Sequence, residues 1–208
     1  MLNKFFPHWN NKTVRTYYLT ALFMNFWVIG PIWYFMFRHF VTVREIGINE
    51  IIVFSIGLLA EVPSGALADH IGRRKVLIYG GVILLIGAVA TTFAFNLLSL
   101  VIAQAIFLTG YAFYSGTNEA LVYDKLKEEG KENIWHIVSA NAKNIGIATT
   151  IVAVLISGLL YSVHYRLPYA AYSLFILGFL ITIIHYPKDR PAHRDTDSHS
   201  FANYVRNL

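Results

Sequence analysis

Asp69, Arg73 and Arg74 sit within one short run at 65–77, Gly-Ala-Leu-Ala-Asp-His-Ile-Gly-Arg-Arg-Lys-Val-Leu, between two long apolar segments. Charges of both signs at such spacing suit reversible ion pairing better than bond-making chemistry. One acid, two glycines and three consecutive cations predict a tight hairpin at a membrane face. Lys and Arg beside spanning segments gather on the cytoplasmic side, because moving them across is costly, so this hairpin orients the chain.

Other ionisable groups lie deeper. Glu61 precedes Asp69 by eight residues, which is about 12 Å along a helix. A carboxyl group at that depth can exchange a proton or hold a cationic substrate, and it can equally be a buried Glu satisfied by hydrogen bonds. Gln104, Tyr111, Ser115, Asn118 and Glu119 recur at helical spacing and form one polar stripe in an apolar segment. Such a stripe fits the wall of an aqueous cavity, or hydrogen bonding between helices with no ligand. Glu119 lies five residues before Asp124 and Lys143 seven after His136. The two therefore fall at similar depth, and an ion pair between them is expected because it would leave little net charge in hydrocarbon. Asn25, Asn141 and Asn144 complete the set of intramembrane polar candidates.

The segments that must position these groups are spanning helices. The 208 residues are 56% hydrophobic with a mean hydropathy of +0.50, and only 14% are charged, against roughly 25% in a soluble domain. Six apolar stretches, at 17–37, 48–68, 76–95, 97–122, 137–161 and 168–186, are each about as long as a bilayer requires. The pattern predicts an all-α membrane protein with six transmembrane helices. Outside these spans, thirteen Lys and Arg fall on one side and only Arg38, Arg44 and Arg166 on the other. This asymmetry predicts a multi-pass chain in the cell membrane with both termini cytoplasmic. Its net charge of +5 is spread over segment ends rather than gathered in one patch, which argues against a nucleic-acid partner.

The first, second, fourth and fifth spans carry the polar candidates and are expected to line an interior. The third and sixth are bland and are expected to face lipid. The division of a bland third member from polar first and second members suggests a three-plus-three repeat. Residues 1–187 read as the bundle. Residues 188–208 read as a polar cytoplasmic tail in which Phe201, Tyr204 and Val205 have the spacing of a short amphipathic helix. Phe5, Phe6 and Trp9 around Pro7 suit a segment at headgroup level.

The run at 65–77 resembles the loop between helices 2 and 3 of the major facilitator superfamily, Gly-x-Leu-Ala-Asp-(Arg/Lys)-x-Gly-(Arg/Lys)-(Arg/Lys)-x-x-Leu. Gly65, Leu67, Asp69, Gly72, Arg73, Arg74 and Leu77 match it, and His70 departs at a position usually basic. The resemblance implies an N-terminal six-helix half of a secondary transporter of small molecules, with helices 1, 2, 4 and 5 around the path. It also implies a gating network in which a hairpin Arg pairs with the acid that ends helix 4, here Asp124. In the family, the acid matching Asp69 meets a helix of the second half. Proton-coupled drug exporters of the family carry an Arg in helix 4 and a Gly-Pro-x-x-Gly-Gly motif in helix 5. Neither is present here, so efflux coupled to a proton gradient is an expectation on family grounds alone.

A complete transporter of this family has about twelve helices, so the chain reads as a first half, truncated or interrupted, or as a unit that pairs with a second half or a second copy. A membrane subunit without transport is an alternative. An intramembrane protease is a lower one, because Ser64-Gly65, Ser115-Gly116 and Ser157-Gly158 all lack the leading Gly of Gly-x-Ser-Gly, and His164 lies at the outer edge. The absence of cysteine excludes disulfides and thiol catalysis, His-Glu-x-x-His is missing and His193 and His199 are sparse, so neither a metal nor a bound cofactor is expected.

Overall fold

A computed structural model describes residues 6–186, and all its regular elements are helical. Helix α1, Lys12–Asn25, starts where the Asn11 side chain accepts from the Val14 N–H. It stops at Phe26. Pro31 has no N–H to donate, and its ring would clash with the carbonyl one turn earlier. Residues 26–32 therefore run as turns before the short α2, Trp33–Phe37. The expected continuous first span at 17–37 is thus two helices with an irregular joint. Its breaker is legible in the sequence, although apolar length alone hides it.

Helix α3, Val43–Ile71, opens with a capping box between Thr42 and Glu45. Gly72, at φ 96°, ends it and starts α4, Arg73–Thr92. Helix α5, Leu97–Tyr114, is capped by Asn96 and Ser99. Here the expected fourth span at 97–122 also breaks. Ser115 is extended and Gly116 takes φ 73°, a conformation that residues with a Cβ seldom adopt. The chain resumes as α6, Thr117–Glu128, then passes through a 3₁₀ turn, Glu132–Ile134, into α7, Trp135–Val163. Helix α8, Leu167–Ile184, carries Pro168 in its first turn, where no hydrogen bond is lost. Among the described residues five segments are long and apolar enough to cross a membrane: Val43–Ile71, Arg73–Thr92, Leu97–Glu128, Glu132–Val163 and Leu167–Ile184. The expected tail helix at 201–205 lies outside the described residues. At the other end, the Phe6, Trp9 and Tyr18 rings cluster, and the Tyr18 hydroxyl donates to the Pro7 carbonyl.

The tightest contact is between α4 and α5. A Cβ on Gly87 would strike the Phe107 backbone, and one on Gly110 would strike Leu84, so only glycine permits this approach. Close backbone packing of this kind is how helices associate where no hydrophobic drive separates them from lipid. Leu77, Leu84, Leu100, Phe107, Ile176 and Phe179 fill the core between α4, α5 and α8.

This arrangement corrects the expectation that the third and sixth spans are simply peripheral. Half of the α4 window and 44% of the α8 window are buried inside the bundle, against 17% for α3 and for α7. The third and sixth spans have an inner face that binds their neighbours, and only the other face is outward. Hydropathy cannot distinguish a side chain touching lipid from one touching another helix; the small residues of α4 can. Long exposed rows, Ile51, Leu58, Leu59 and Val62 on α3 and Ile151, Leu155, Leu159 and Val163 on α7, are left without a partner in the bundle.

Candidate functional site

Two polar cavities flank the break in the α5–α6 pair. The larger, about 580 Å³, is walled by α1, α5, α6 and α7 and lined by Tyr17, Asn25, Tyr111, Tyr114, Asn118, Glu119, Lys143, Gly146 and Thr150, among others. The smaller, about 310 Å³, lies between α3, α4 and the α5–α6 joint, and Glu61, Ser64, Gly65, Asp69, Arg73, Ser115 and Gly116 line it. Both volumes fall at or within the roughly 300–1,000 Å³ typical of small-molecule sites.

The larger cavity is built on satisfied backbone. The Asn25 amide donates to the Ala21 carbonyl, while the Thr150 hydroxyl donates to the Asn25 carbonyl at 3.0 Å and the Tyr172 hydroxyl to the Met24 carbonyl at 3.4 Å. The Met24 and Asn25 carbonyls lose their helical partners where α1 stops. Side-chain donors from α7 and α8 therefore replace the missing rungs, as backbone at membrane depth requires. Gly146 makes room, since its missing Cβ would lie 3.0 Å from the Asn25 side chain. On the opposite wall Asn118 donates to the Thr20 hydroxyl and accepts from the Tyr186 hydroxyl, each at 3.2 Å, which ties α6 to α1 and to the end of α8.

Glu119 and Lys143 both line this cavity, and both are exposed to it. The expected ion pair between them is not formed: among the described residues the ion pairs are Arg73 with Asp124, Lys125 with Glu128, and Lys131 with Glu129. Sequence separation fixed their depth but not their direction around each helix axis. The expected single stripe on the fourth span is also divided. Tyr111, Asn118 and Glu119 face the larger cavity, Ser115 faces the smaller one, and Gln104 faces neither. Gln104 is instead buried, donating to the Thr91 hydroxyl at 3.1 Å and to that of Tyr169 at 3.5 Å. The Ser115–Gly116 joint resets the helical register, so spacing cannot be carried across it. Asn144 is exposed on α7 and lines neither cavity.

At the hairpin, Arg73 and Asp124 pair at 2.6 Å. Arg74 donates to the Ile184 carbonyl at 2.7 Å, which fastens the start of α4 to the end of α8. Asp69 and Gly65 line the smaller cavity, and Gly72 makes the turn between α3 and α4. The Ser64 hydroxyl donates to the Glu61 carbonyl at 2.7 Å and approaches the Ala112 carbonyl at 3.3 Å, so α3 is held to α5 beside Glu61.

Tyr17, Tyr114, Thr20, Thr150 and Tyr186 take part in the site without having stood out in the sequence. Tyr17, Thr20, Tyr114 and Thr150 are members of α1, α5 and α7, and Tyr186 follows the end of α8. Asn49 and Glu50, bonded to each other at 3.2 Å near the start of α3, are a further polar pair within the second expected span.

The Major Facilitator Superfamily profile matches residues 19–203. No individual curated protein matches the chain. The profile runs from the middle of α1 past the end of α8, including the hairpin with its Asp69, Arg73 and Arg74, and the chain therefore belongs to the major facilitator superfamily, a family of transporters rather than of enzymes.

Proposed function

We propose that the chain is the N-terminal bundle of a secondary transporter that moves a small molecule across the cell membrane, and that residues 1–187 cross it six times with the first crossing broken at Pro31. The observation that carries this reading is the 580 Å³ cavity, which draws its polar lining from α1, α5, α6 and α7. The breaks in α1–α2 and α5–α6 fall in the first member of each triplet of a three-plus-three arrangement. Interrupted helices at corresponding positions mark the binding site in repeat-built transporters. The charge asymmetry supports both termini lying in the cytoplasm, with the Arg73–Asp124 pair on the same side. Glu61 and Asp69, in the smaller cavity beside that hairpin, are the groups we assign to proton coupling and gating.

The exposed row on α7 includes Ile151, which lines the larger cavity. A second six-helix bundle covering the rows on α3 and α7 is the partner we propose.

The protein has no cysteine, so introduced ones are unique reporters. Lys75→Cys should react with a membrane-impermeant maleimide only from the cytoplasmic side, His39→Cys only from outside, and Ile147→Cys through the cavity. Uptake of a fluorescent cationic dye into inverted vesicles should follow a proton gradient and fall with Glu61→Gln and Asp69→Asn. Labelling of Lys75→Cys from outside would reverse the topology. A correctly oriented bundle that carries nothing, even with a cross-linked second bundle, would leave a non-transporting subunit.

A further inference from the structure

We infer that the larger cavity takes a zwitterion, a small molecule carrying one ammonium and one carboxylate, with Glu119 receiving the first and Lys143 the second. The inference rests on the transporter reading and names the substrate class of the same cavity.

Glu119 and Lys143 are the two formally charged residues on its lining, one of each sign, on different helices. Neither makes an ion pair with the other or with any described residue. Opposite charges that line one cavity and stay apart leave each open to a counter-charge from a ligand. A monovalent cation would neutralise Glu119 and leave Lys143 uncompensated. An anion would do the reverse. A molecule bearing both charges compensates both at once and adds no net charge to the membrane interior.

The rest of the lining agrees with this chemistry. Tyr17, Tyr111 and Tyr114 offer rings and hydroxyls along one wall, with Tyr111 and Tyr114 in contact at 6.0 Å between centroids. Asn25 and Asn118 offer neutral polar groups already oriented by hydrogen bonds to backbone or to hydroxyls. The cavity therefore combines two opposite charges with aromatic side chains, the complement of an aromatic or apolar molecule with a zwitterionic head.

Three probes of one shape and different charge test this: phenylalanine, phenethylamine and 3-phenylpropionate, measured by equilibrium binding to the full chain in lipid nanodiscs. The expected result is phenylalanine binding about tenfold tighter than either singly charged probe. Lys143→Gln should remove its advantage over phenethylamine, and Glu119→Gln its advantage over 3-phenylpropionate. Substitutions that lower thermal stability but keep the ranking would make both charges structural and overturn the inference. So would equal binding of the three probes, preference for a singly charged one, or binding of none. Failure of the transporter reading is seen elsewhere, in the cysteine-labelling assay, whose outcome does not depend on which probe wins.

Discussion

The Thr150 hydroxyl donates to the main-chain carbonyl of Asn25 across the α7–α1 interface. This contact joins a helix break to a cavity wall. The last turn of α1 ends with carbonyls that no following N–H can reach, and a β-hydroxyl on the neighbouring helix supplies a donor where water is scarce. The same residue lines the larger cavity. Stability and site geometry therefore depend on one hydrogen bond.

Thr150→Val keeps the shape of the side chain and removes its donor. It should cost about 1 kcal/mol, the usual size of such a bond between membrane helices. Thr150→Ser, which keeps the hydroxyl, should stay near wild type. Thermal unfolding of the purified protein in detergent measures both, and equal melting of the Val and Ser variants would show that the bond contributes nothing.

Gly87 and Gly110 face backbone across the α4–α5 contact. Gly110→Ala must push the two helices apart, at about 1–3 kcal/mol for an overpacked interior. Gly65→Ala is the control, because nothing lies within 4 Å of its added Cβ. Size-exclusion profiles and melting curves should separate the two, with Gly110→Ala melting well below wild type and Gly65→Ala close to it.

How far the sequence announced all this depends on the kind of information involved. Apolar length and charge asymmetry locate the spans from 48 onward, and two helices running to the same end bring Arg73 near Asp124. What the residues do not announce is rotation. Helical spacing puts Glu119 and Lys143 at one depth, but whether they touch depends on the azimuth of α6 after the Ser115–Gly116 joint. Gln104 lies seven residues before Tyr111 in the unbroken α5, about 10 Å along its axis, and at that level the same face meets Thr91 and Tyr169 rather than the cavity. The break at Pro31 was visible as a residue, yet the carbonyls it frees and the hydroxyls that satisfy them become apparent only in three dimensions.

Glu129, outside the spanning segments, makes a pH prediction. Burial pushes its carboxyl up, but hydrogen bonds from Lys131, Asn11 and Thr13 and the Lys131 charge outweigh this and hold it below the ordinary carboxylate value. A depressed folded value means that stability is gained above the unfolded pKa, near 4.3, and lost as pH falls through the folded one. The melting-temperature advantage of wild type over Glu129→Gln should be constant from pH 7 to about pH 5 and shrink below that. An advantage that grows on acidification would reverse the sign and refute the assignment.

Arg73 and Asp124 pair at 2.6 Å with side chains 29% and 49% exposed, so solvent and salt screen them. A double-mutant cycle with Arg73→Gln and Asp124→Asn should therefore yield a coupling of only about 0.5–1 kcal/mol in thermal stability. If the pair serves gating, the same substitutions should impair transport by more than their stability cost explains, because a latch that must open and close in each cycle biases two conformations rather than holding one. Transport falling only in proportion to the folded fraction would make the pair a plain structural contact. A loss of about tenfold at unchanged melting temperature would mark it as part of the switch, with Asp69, unpaired to either partner of that bridge and lining the adjoining cavity, free to engage a helix of the second bundle.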